Sequence, residues 1–443
     1  MKQKYNSWGL YPKASHKDII KLNWINDKLK FDENNTSVLP YGLGRSYGDN
    51  CLNNDNTLID TKNLSRFIKF DQIKGVLKCE AGLSFAEILK IIVPAGWFFP
   101  VTPGTKFVTV GGAIANDVHG KNHHSAGTFG SHVISFELLR SDGGKYICSK
   151  NRNPELYKAT IGGLGLTGLI LWAEFRLKPI KNAFIDAETI KFKNIDEFFK
   201  LSKDSSKEYE YVVSWVDCSS KGKNFGRGLF FRGNHSVTDK SDLPKPKTPM
   251  RIPFPFTAPS FLLNRLTIKI ANAVIYRSQI KKHSKGLKHY DPFFYPLDAI
   301  LNWNKMYGKK GFFQYQCVVP FIENGKDIKM IIDKIAKSGM GSFLVVLKTM
   351  GDVKSPGLLS FPRGGVTLAL DFANKGKKTL DLLNELDELV KAAGGVLYPC
   401  KDSRMSPEMF KFGYPELDGF IQNIDNKFSS TQWRRLTKRI DLT

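Results

Sequence analysis

The sequence predicts an α+β protein with two domains, and three observations support this prediction. With 443 residues, the chain is longer than one hydrophobic core usually supports. Its 42% hydrophobic and 24% charged residues are ordinary for a globular protein. Between residues 37 and 177, short β-rich runs and Gly-rich turns do not alternate regularly with helices. This order favours an α+β arrangement over a doubly wound Rossmann domain.

The elements of the first domain follow from local patterns. Runs rich in β-branched and aromatic residues, bounded by turn residues, predict strands. Ser84 and Glu87 form an S-x-x-E capping box that opens a helix, which ends before Pro94 and Gly96. An Asp-Gly-Gly turn at 142–144 joins two strands into a hairpin. The predicted strands cover residues 59–60, 67–70, 75–79, 133–140, 145–148 and 169–177.

A second domain begins where the composition changes, after Lys178 and Pro179. Its clearest helix covers residues 380–393, with apolar residues at helical spacing, and stops at Gly394 and Gly395. The predicted organisation is a first domain at 1–179, a second at 180–394 with a mobile Pro-rich and basic insertion at about 240–290, and a C-terminal segment at 395–443 that returns to the first domain.

The insertion has three parts. Residues 244–259 contain six prolines, which exclude a helix interior and a central strand and predict an extended or mobile loop. Residues 261–276 are mostly apolar, and a basic run follows at 277–289, with a basic loop near 281–289. An apolar helix beside a cationic stretch is typical of a helix at a lipid surface or over a lipid-bearing substrate. A core helix with a solvated tail fits the same pattern.

The formal charge of +24 at pH 7 indicates anionic partners, such as nucleic acid, anionic lipid or phosphorylated substrates. A solvated lysine-rich surface is the other interpretation. No helix-turn-helix, zinc-knuckle or RNP-type motif is present, which disfavours a nucleic-acid binder. The six cysteines are isolated, which predicts free thiols. The first 18 residues lack the apolar core of a signal peptide, and no run approaches the roughly 18 apolar residues that span a bilayer. We therefore expect a cytoplasmic protein with peripheral membrane contact, and the periplasmic face is the open alternative.

Three Gly-rich segments lie in the first domain, at residues 41–49, 103–115 and 161–168. Glycine lets a backbone approach a ligand closely and present N–H groups to phosphate oxygens. Three such loops in one domain indicate a large, phosphate-bearing cofactor. The first loop reads GLGRSYG and lacks the third glycine of the Rossmann dinucleotide fingerprint, and there is no Walker A motif.

Four of the eight histidines fall within residues 119–132. His119 and His123 are four residues apart, a spacing that zinc sites use. Gly120 weakens a helix at this point, and no glutamate completes an H-E-x-x-H arrangement. We therefore expect no metal.

These segments together resemble a known superfamily. The run PGTKFVTVGGAIANDVHGKNHHSAGTFGSHV, with YGLGRSYGD upstream and IGGLGLTGLI downstream, is similar to the FAD domain of the vanillyl-alcohol oxidase and p-cresol methylhydroxylase superfamily. More narrowly, WNKMYGKKGFFQYQCVVP, FLVVLKTMG, GGVTLALDF and GGVLYPCKDSRMSPEMF resemble, in order and spacing, the decaprenylphosphoryl-β-D-ribose oxidase family, the flavin subunits of a 2'-epimerase. The resemblance spans nearly the whole chain. It implies a two-part FAD-binding domain and an α+β substrate domain built on an antiparallel sheet.

The resemblance also implies that FAD is bound non-covalently, because related covalent flavoenzymes carry a histidine where this chain has Arg45. Two glycine loops would contact the pyrophosphate and adenosine, residues 116–119 with Ile170 would line the flavin, and Tyr398 would return to the cofactor from near the C-terminus. The implied cofactor-binding residues are Gly42, Leu43, Gly44, Arg45, Ser46, Tyr47, Gly48, Gly104, Thr109, Val110, Gly111, Gly112, Asn116, Asp117, His119, Ile170 and Tyr398.

The activity implied is oxidation of the C2 hydroxyl of a polyprenyl-phosphate pentose to a 2-keto sugar. This is the first half of an epimerisation in cell-envelope polysaccharide synthesis, which a short-chain reductase would complete. We expect Lys401 to contact the reacting hydroxyl, as hydrogen-bond partner or base, and Lys348 to serve binding or orientation. The implied catalytic residues are Lys401, Tyr47, His119 and Gln316, and the implied substrate-binding residues are Gln314, Gln316, Lys348 and Lys401.

A soluble sugar or alditol oxidase of the same superfamily is the alternative. It is disfavoured because the HWGK-type C-terminal motif of aldonolactone oxidases is missing, and QWRR at 432–435 does not match it. Three positions depart from the actinobacterial pattern. Ala369 and Asn116 stand where those enzymes carry cysteines, and Thr367 stands where they carry asparagine. These changes leave the exact sugar and prenyl chain open.

Overall fold

A computed structural model of the protein describes residues 5–29, 31, 36–244, 251–259 and 262–437. Within these residues, helices pack with mainly antiparallel sheets, so the predicted α+β class is confirmed. Of the predicted insertion, residues 245–250 and 260–261 lie outside the described residues.

The first 180 residues carry a small parallel sheet and a larger antiparallel sheet. Their strands are β1 (Asp18–Lys21), β2 (Val38–Tyr41), β3 (Thr57–Asp60), β4 (Phe67–Asp71), β5 (Val76–Glu80), β6 (Trp97–Phe98), β7 (Val133–Leu139), β8 (Lys145–Ser149), β9 (Leu169–Arg176) and β10 (Lys178–Pro179). The parallel sheet has the order β1-β3-β2, the antiparallel sheet has the order β4-β5-β9-β7-β8, and β6 pairs with β10. The predicted strands are present, and β7 and β8 form the predicted hairpin.

Short helices fill the connections of this region. They are α1 (Phe85–Ile92), α2 (Val110–Ala115), α3 (His123–Ala126) and α4 (Pro154–Thr160). The predicted capping box is confirmed, because the Glu87 N–H donates to Ser84 Oγ at 3.2 Å and the Ser84 N–H donates to Glu87 Oε2 at 3.0 Å. At the start of α2, the Thr109 hydroxyl accepts from the Gly112 N–H at 3.1 Å. These caps satisfy backbone donors that a helix start leaves open, and they fix the loops that precede them.

The larger sheet lies in the second part of the chain. Its strands are β11 (Phe184–Phe192), β12 (Tyr211–Val216), β13 (Gly228–His235), β15 (His283–His289), β17 (Phe312–Val319), β18 (Val345–Met350), β19 (Gly365–Ala373) and β20 (Val396–Leu397), and the separate strands β14 (Ile252–Pro253) and β16 (Ile300–Leu301) form a parallel pair. The sheet order is β15-β11-β13-β12-β18-β19-β17-β20, antiparallel throughout.

Helices cover one face of this sheet. The helices of the second part are α5 (Ile195–Ser205), α6 (Arg265–Ser278), α7 (Tyr290–Phe294), α8 (Lys326–Ser338) and α9 (Lys377–Ala392), and α5, α8 and α9 pack on that face. α8 buries Ile328, Ile331, Ile332 and Ile335 at helical spacing against alternate residues of β17, β18 and β19. Because successive strand residues point to opposite faces, the intervening residues of these strands must point away from α8. That second face forms part of the site described below.

The basic run is partly a strand rather than the predicted loop. Residues 283–289 form β15, an edge strand that pairs with β11. The reason is a buried carboxylate on β11, Glu188, which accepts from His283 at 3.0 Å, from Lys285 at 2.5 Å and from Arg232 at 2.7 Å. The buried Glu188 carboxylate is thus paired with cations that the sequence pattern predicted to be solvated. The neighbouring apolar segment forms α6, and the helix predicted at 380–393 forms α9, which begins three residues earlier.

The C-terminal residues pack back against the first 60 residues. Their helices are α10 (Pro407–Gly413), α11 (Leu417–Ile421) and α12 (Thr431–Thr437). Arg435 of α12 pairs with Asp49 at 2.9 Å and with Asp402 at 2.8 Å. The Tyr47 N–H donates to the Cys400 carbonyl at 3.1 Å. These contacts hold residues 398–402 beside the first Gly-rich loop.

Candidate active site

A cavity of about 430 Å³ lies between the Gly-rich loops and the free face of the larger sheet. This volume is in the range of small-molecule and cofactor pockets. Residues from all three Gly-rich segments line it, together with residues of β17, β18 and β19 and of the C-terminal segment. The cavity is therefore built by parts of the chain that are distant in sequence, from Trp8 to Lys401.

The first Gly-rich loop fits closely against its neighbours. A Cβ at Gly42 would come within 2.6 Å of Thr109 Oγ1. Gly44 has φ +61°, and a Cβ there would come within 2.1 Å of the Tyr41 hydroxyl. A side chain at either position would push the loops apart, so glycine is needed for the backbone to lie along the cavity.

The polar groups beside this loop fit a cofactor that accepts and donates hydrogen bonds. Asn50 is buried and lines the cavity, and its Nδ2 donates to Asn116 Oδ1 at 2.8 Å. Asn116 Nδ2 in turn donates to the Gly112 carbonyl at 2.8 Å. The Asn50 Oδ1 has no partner among the described residues. A buried polar atom of this kind usually has a partner, and a ligand in the cavity would provide one. The residues present therefore fit a cofactor that brings a hydrogen-bond donor to Asn50 and lies against the glycine backbone.

Most of the predicted cofactor-binding residues line the cavity. These are Gly42, Leu43, Gly44, Arg45, Ser46, Tyr47, Gly104, Thr109, Gly111, Gly112, Asn116, His119, Ile170 and Tyr398. Arg45 is held in place there, since its guanidinium lies 4.0 Å from the Trp8 ring centroid and its Nε donates to the Phe107 carbonyl at 3.2 Å. The Tyr398 hydroxyl donates to the Asn116 carbonyl at 2.7 Å, and its ring stacks on Phe361 at 4.5 Å.

Three of the predicted cofactor-binding residues are not part of the cavity lining. Gly48 packs against the C-terminal segment, where a Cβ would fall 1.4 Å from the Asp402 carbonyl oxygen. Val110 is fully buried in the core beneath the loop. The Asp117 carboxylate accepts from the Gly130 N–H at 2.9 Å, from Ser360 Oγ at 2.5 Å and from Ser355. These hydrogen bonds connect the loops on the side away from the cavity. A contiguous motif cannot direct every residue to one side of the backbone, which explains why these three lie outside the lining.

The predicted substrate-binding residues of the sheet share one face. In the strand register, Gln316 lies opposite Ala369, which lies opposite Val346, and Lys348 lies opposite Thr367. All five side chains line the cavity. Gln314 is two residues from Gln316 and lines it too, with its Nε2 donating to Asp371 Oδ1 at 2.8 Å.

His119 connects the cofactor loops to this sheet face. Its Nδ1 lies 2.9 Å from Lys348 Nζ, and its Nε2 lies 3.0 Å from Gln316 Nε2. Lys348 also donates to the Gly120 carbonyl. Burial, followed by the charges of Lys348, His123 and Lys401, holds the pKa of His119 well below its ordinary value. The imidazole is therefore neutral at physiological pH and carries one proton.

The position of that proton depends on Lys348. A charged ammonium only donates, so Nδ1 would accept and the ring proton would sit on Nε2, which requires Gln316 to present its amide oxygen. A neutral amine can accept as well as donate, so Nδ1–H can then donate to Lys348 while Nε2 accepts from the Gln316 amide nitrogen. Burial, and then the charge of Lys121, lower the pKa of Lys348 to about 7. Both arrangements are therefore accessible near neutral pH.

Lys401 lies on the opposite side of the first Gly-rich loop, at the end of a short helical turn over 399–401. Its Nζ is 3.9 Å from the centroid of the Tyr47 ring. Burial lowers the pKa of Lys401, while Cys400 and Asp371 oppose this change. Burial also raises the pKa of Tyr47 well above its ordinary value. Tyr47 therefore stays protonated and cannot act as the base, whereas Lys401 is a candidate for that role.

The other histidines of the cluster serve the structure. His124 Nε2 lies 3.1 Å from the Tyr209 carbonyl, and His132 Nε2 lies 2.9 Å from the Ala126 carbonyl. Burial lowers the pKa of His123 to about 3. Within the described ranges, no three His, Cys, Asp or Glu side chains come together as a metal site.

Sequence reasoning missed several residues of the cavity lining, among them Lys121 and Asn50. Lys121 lines the cavity, donates to the Phe293 carbonyl at 2.8 Å, and has its pKa lowered to about 7 by burial and by the charge of Lys288. Its place two residues after His119 was the available signal. Asn50 lies just past the first Gly-rich segment, and nothing in its local pattern indicated a role.

Comparisons with known proteins agree with this geometry. A family model described as an FAD binding domain matches residues 30–149. The chain is 37% identical over 418 residues to decaprenylphosphoryl-beta-D-ribose oxidase of Mycolicibacterium smegmatis, covering 91% of this chain and 90% of that protein. It is 31% identical over 374 residues to an uncharacterized protein in the mprA 5' region of Streptomyces coelicolor, covering 80% of this chain and 100% of the relative. A Delta(24)-sterol reductase of Rattus norvegicus is 29% identical over 119 residues, 27% of this chain and 23% of the relative.

The glycine-built cavity and the FAD binding domain define an FAD-dependent oxidoreductase, with FAD as its cofactor. Within that class, the chain belongs to the decaprenylphosphoryl-β-D-ribose oxidase family.

Proposed function

We propose that the protein oxidises the C2 hydroxyl of a polyprenyl-phosphate pentose to a 2-keto sugar, as the first half of an epimerisation in cell-envelope polysaccharide synthesis. The observation that carries this proposal is the wall of the cavity opposite the cofactor loops. There the sheet face presents Gln314, Gln316, Lys348 and Thr367, and Lys401 lies across from it. Amides and a hydroxyl suit sugar hydroxyls, and ammonium groups suit a phosphate.

The roles of the side chains follow from their contacts. FAD, when bound, accepts a hydride from a carbinol carbon. Lys401 is held over Tyr47, and its lowered pKa favours the neutral amine that is needed to take the hydroxyl proton. Lys348 and Lys121 add positive charge to the lining, and His119 and Gln316 orient the sugar through a hydrogen-bonded chain.

Apolar residues in the cavity lining support a lipid-bearing substrate. Leu297, Ile300, Leu301 and Trp303 line the cavity, and Ile300 of β16 is also 39% exposed. A free sugar would not need such a wall, whereas a prenyl chain would cover it. This feature favours the polyprenyl-phosphate sugar over the soluble sugar or alditol alternative.

The proposed product also requires a partner enzyme. A 2-keto sugar becomes the epimeric alcohol only when hydride returns to the other face of the carbonyl. We propose that a short-chain reductase carries out that second step.

The test is anaerobic reduction of the purified holoprotein. A polyprenyl-phosphoryl ribose should bleach the oxidised-flavin band near roughly 450 nm, a generic flavin property. Free ribose and an alditol, added at the same concentration, should leave the band intact. A flavin bleached by the free sugars but not by the polyprenyl-phosphate substrate would contradict the proposal and support the soluble oxidase. Adding a short-chain reductase with its nicotinamide cofactor should convert the bleaching product to the epimer.

A further inference from the structure

α6 presents an apolar row to solvent. Its opposite side buries Ile268, which is 8% exposed, and Asn272, which is fully buried. Residues four apart lie on one face of a helix. The row consists of Leu266, Ile270 and Val274, which are 65%, 54% and 62% exposed, and Leu262, which is 42% exposed, lies just before the helix. A well-packed core helix would not leave this face uncovered.

Cations surround the row. From residue 251 to residue 290 the sequence contains eight lysines and arginines and no aspartate or glutamate. Lys269 and Arg277 flank the row on α6, and Lys281 and Lys282 follow it. In the part of the chain that the structure describes, these four cations form no ion pair. Ile280, next to the last pair, is 90% exposed.

The row begins beside the proposed active site. Leu263, at the start of α6, packs in a cluster with Leu297 and Trp303, which line the cavity. Nearby, Ile252 of β14 pairs with Ile300 of β16, and Ile252 is 55% exposed. The exposed apolar surface therefore continues from α6 toward the cavity lining.

We propose that this α6 surface docks the protein on an anionic lipid bilayer, with the apolar row in the interface and the four cations among the lipid headgroups. The charge favours a membrane over a second copy of this chain as the binding partner. A dimer formed through this surface would bring together two cation-rich segments that contain no aspartate or glutamate. An anionic membrane complements both the apolar row and the charge. In the described residues no helix is long and apolar enough to cross a bilayer, so docking would occur at the surface. The surface itself does not depend on the proposed function, but its purpose does: it would bring the cavity to a substrate held in the membrane.

The experiment is vesicle co-sedimentation of the FAD-loaded protein without substrate. Phosphatidylcholine vesicles containing one-third phosphatidylglycerol should bind the protein, and this binding should weaken with added salt. The triple variant Leu266→Gln/Ile270→Gln/Val274→Gln should bind at least about tenfold more weakly. The matched control Ile73→Gln/Ile91→Gln/Ile322→Gln changes residues that are 94%, 50% and 52% exposed elsewhere, and it should bind like the wild type. Both variants should keep their FAD and their thermal midpoint.

A label at Ile270 provides a second measurement. An environment-sensitive fluorophore on Ile270→Cys should shift to the blue on anionic vesicles and stay unshifted on pure phosphatidylcholine. The proposal is overturned if the wild type does not bind anionic vesicles, or if the α6 variant and the control variant lose vesicle binding equally. It is also overturned if the wild type is a dimer that the α6 variant converts to a monomer without any vesicle binding. Because no substrate is present, failure here leaves the flavin-bleaching test unaffected, and failure of that test leaves this one unaffected.

Discussion

Lys348 Nζ lies 2.9 Å from His119 Nδ1, so a lysine on the substrate-facing sheet is hydrogen-bonded to a histidine on a cofactor loop. The two residues are 229 positions apart in the sequence. Because the neutral imidazole has one proton, a charged Lys348 fixes that proton on Nε2 and turns the Gln316 amide oxygen toward the ring, whereas a neutral Lys348 also permits the reverse arrangement. The protonation state of one lysine thus controls the hydrogen-bonding pattern along this part of the cavity.

Substrate binding should depend on pH through Lys348. Burial lowers its pKa to about 7, so the ammonium is present below pH 7 and is lost as the pH rises through it. We expect the KM for a phosphorylated substrate to rise above pH 7, by up to about tenfold per pH unit. KM and kcat should be measured separately from pH 5.5 to 9. Lys348→Arg, which stays charged, should flatten the KM profile, and a flat profile in the wild type would contradict this role.

Lys401 should control the chemical step. Lys401→Met removes the group proposed to take the hydroxyl proton, and general-base catalysis is worth about 10²–10⁴ in rate. Stopped-flow measurement of flavin reduction should show a loss of that size, while FAD content and thermal midpoint stay close to the wild type. Lys378→Met, an exposed lysine on α9, is the control and should reduce at the wild-type rate. If the Lys401 variant reduces its flavin at the wild-type rate, Lys401 has no role in the chemical step.

The first Gly-rich loop should decide cofactor retention. Gly44→Ala places a side chain at φ +61° and within 2.1 Å of the Tyr41 hydroxyl, so we expect the variant to purify largely without FAD. Gly419→Ala, where a Cβ meets nothing within 4 Å, should purify with full FAD. The absorbance ratio of flavin to protein measures both. Acid precipitation of the wild type should release the FAD into the supernatant, and yellow colour that remains in the pellet would show covalent attachment instead.

The cavity should be inert toward thiol-directed inhibitors. Ala369 lines it, and burial raises the pKa values of the two cysteines that also line it, with that of Cys51 at about 12 and that of Cys400 above its ordinary value. Intact-mass analysis should therefore show no adduct on the native holoprotein. Ala369→Cys should create a single labelling site, and peptide mapping should place the adduct at 369. Labelling of native Cys400 would mean that the cavity is more open than its burial indicates.

Local sequence patterns predicted much of the fold. The capping box at Ser84, the hairpin turn at 142–144 and the helix ending at Gly394 are set by hydrogen bonds and backbone angles within a few residues, so they can be read without tertiary information. The Gly-rich segments indicated the cofactor cavity because glycine lets the backbone approach a ligand closely, which is also a local property. Patterns could not show that Gly48, Val110 and Asp117 lie outside its lining, because that depends on which distant parts of the chain pack against each residue.

The sequence by itself determined the α+β class, the strands and helices named above, and, through its resemblance to a known superfamily, the use of FAD. Only the tertiary structure decided that His119, Gln316 and Lys348 meet, because strand register brings together residues that are distant in the chain. It also decided that the basic run becomes an edge strand, since the buried carboxylate of Glu188 needs cations. The burial that gives Lys348 its lowered pKa likewise exists only in the folded protein, where the sheet and the cofactor loops close around it.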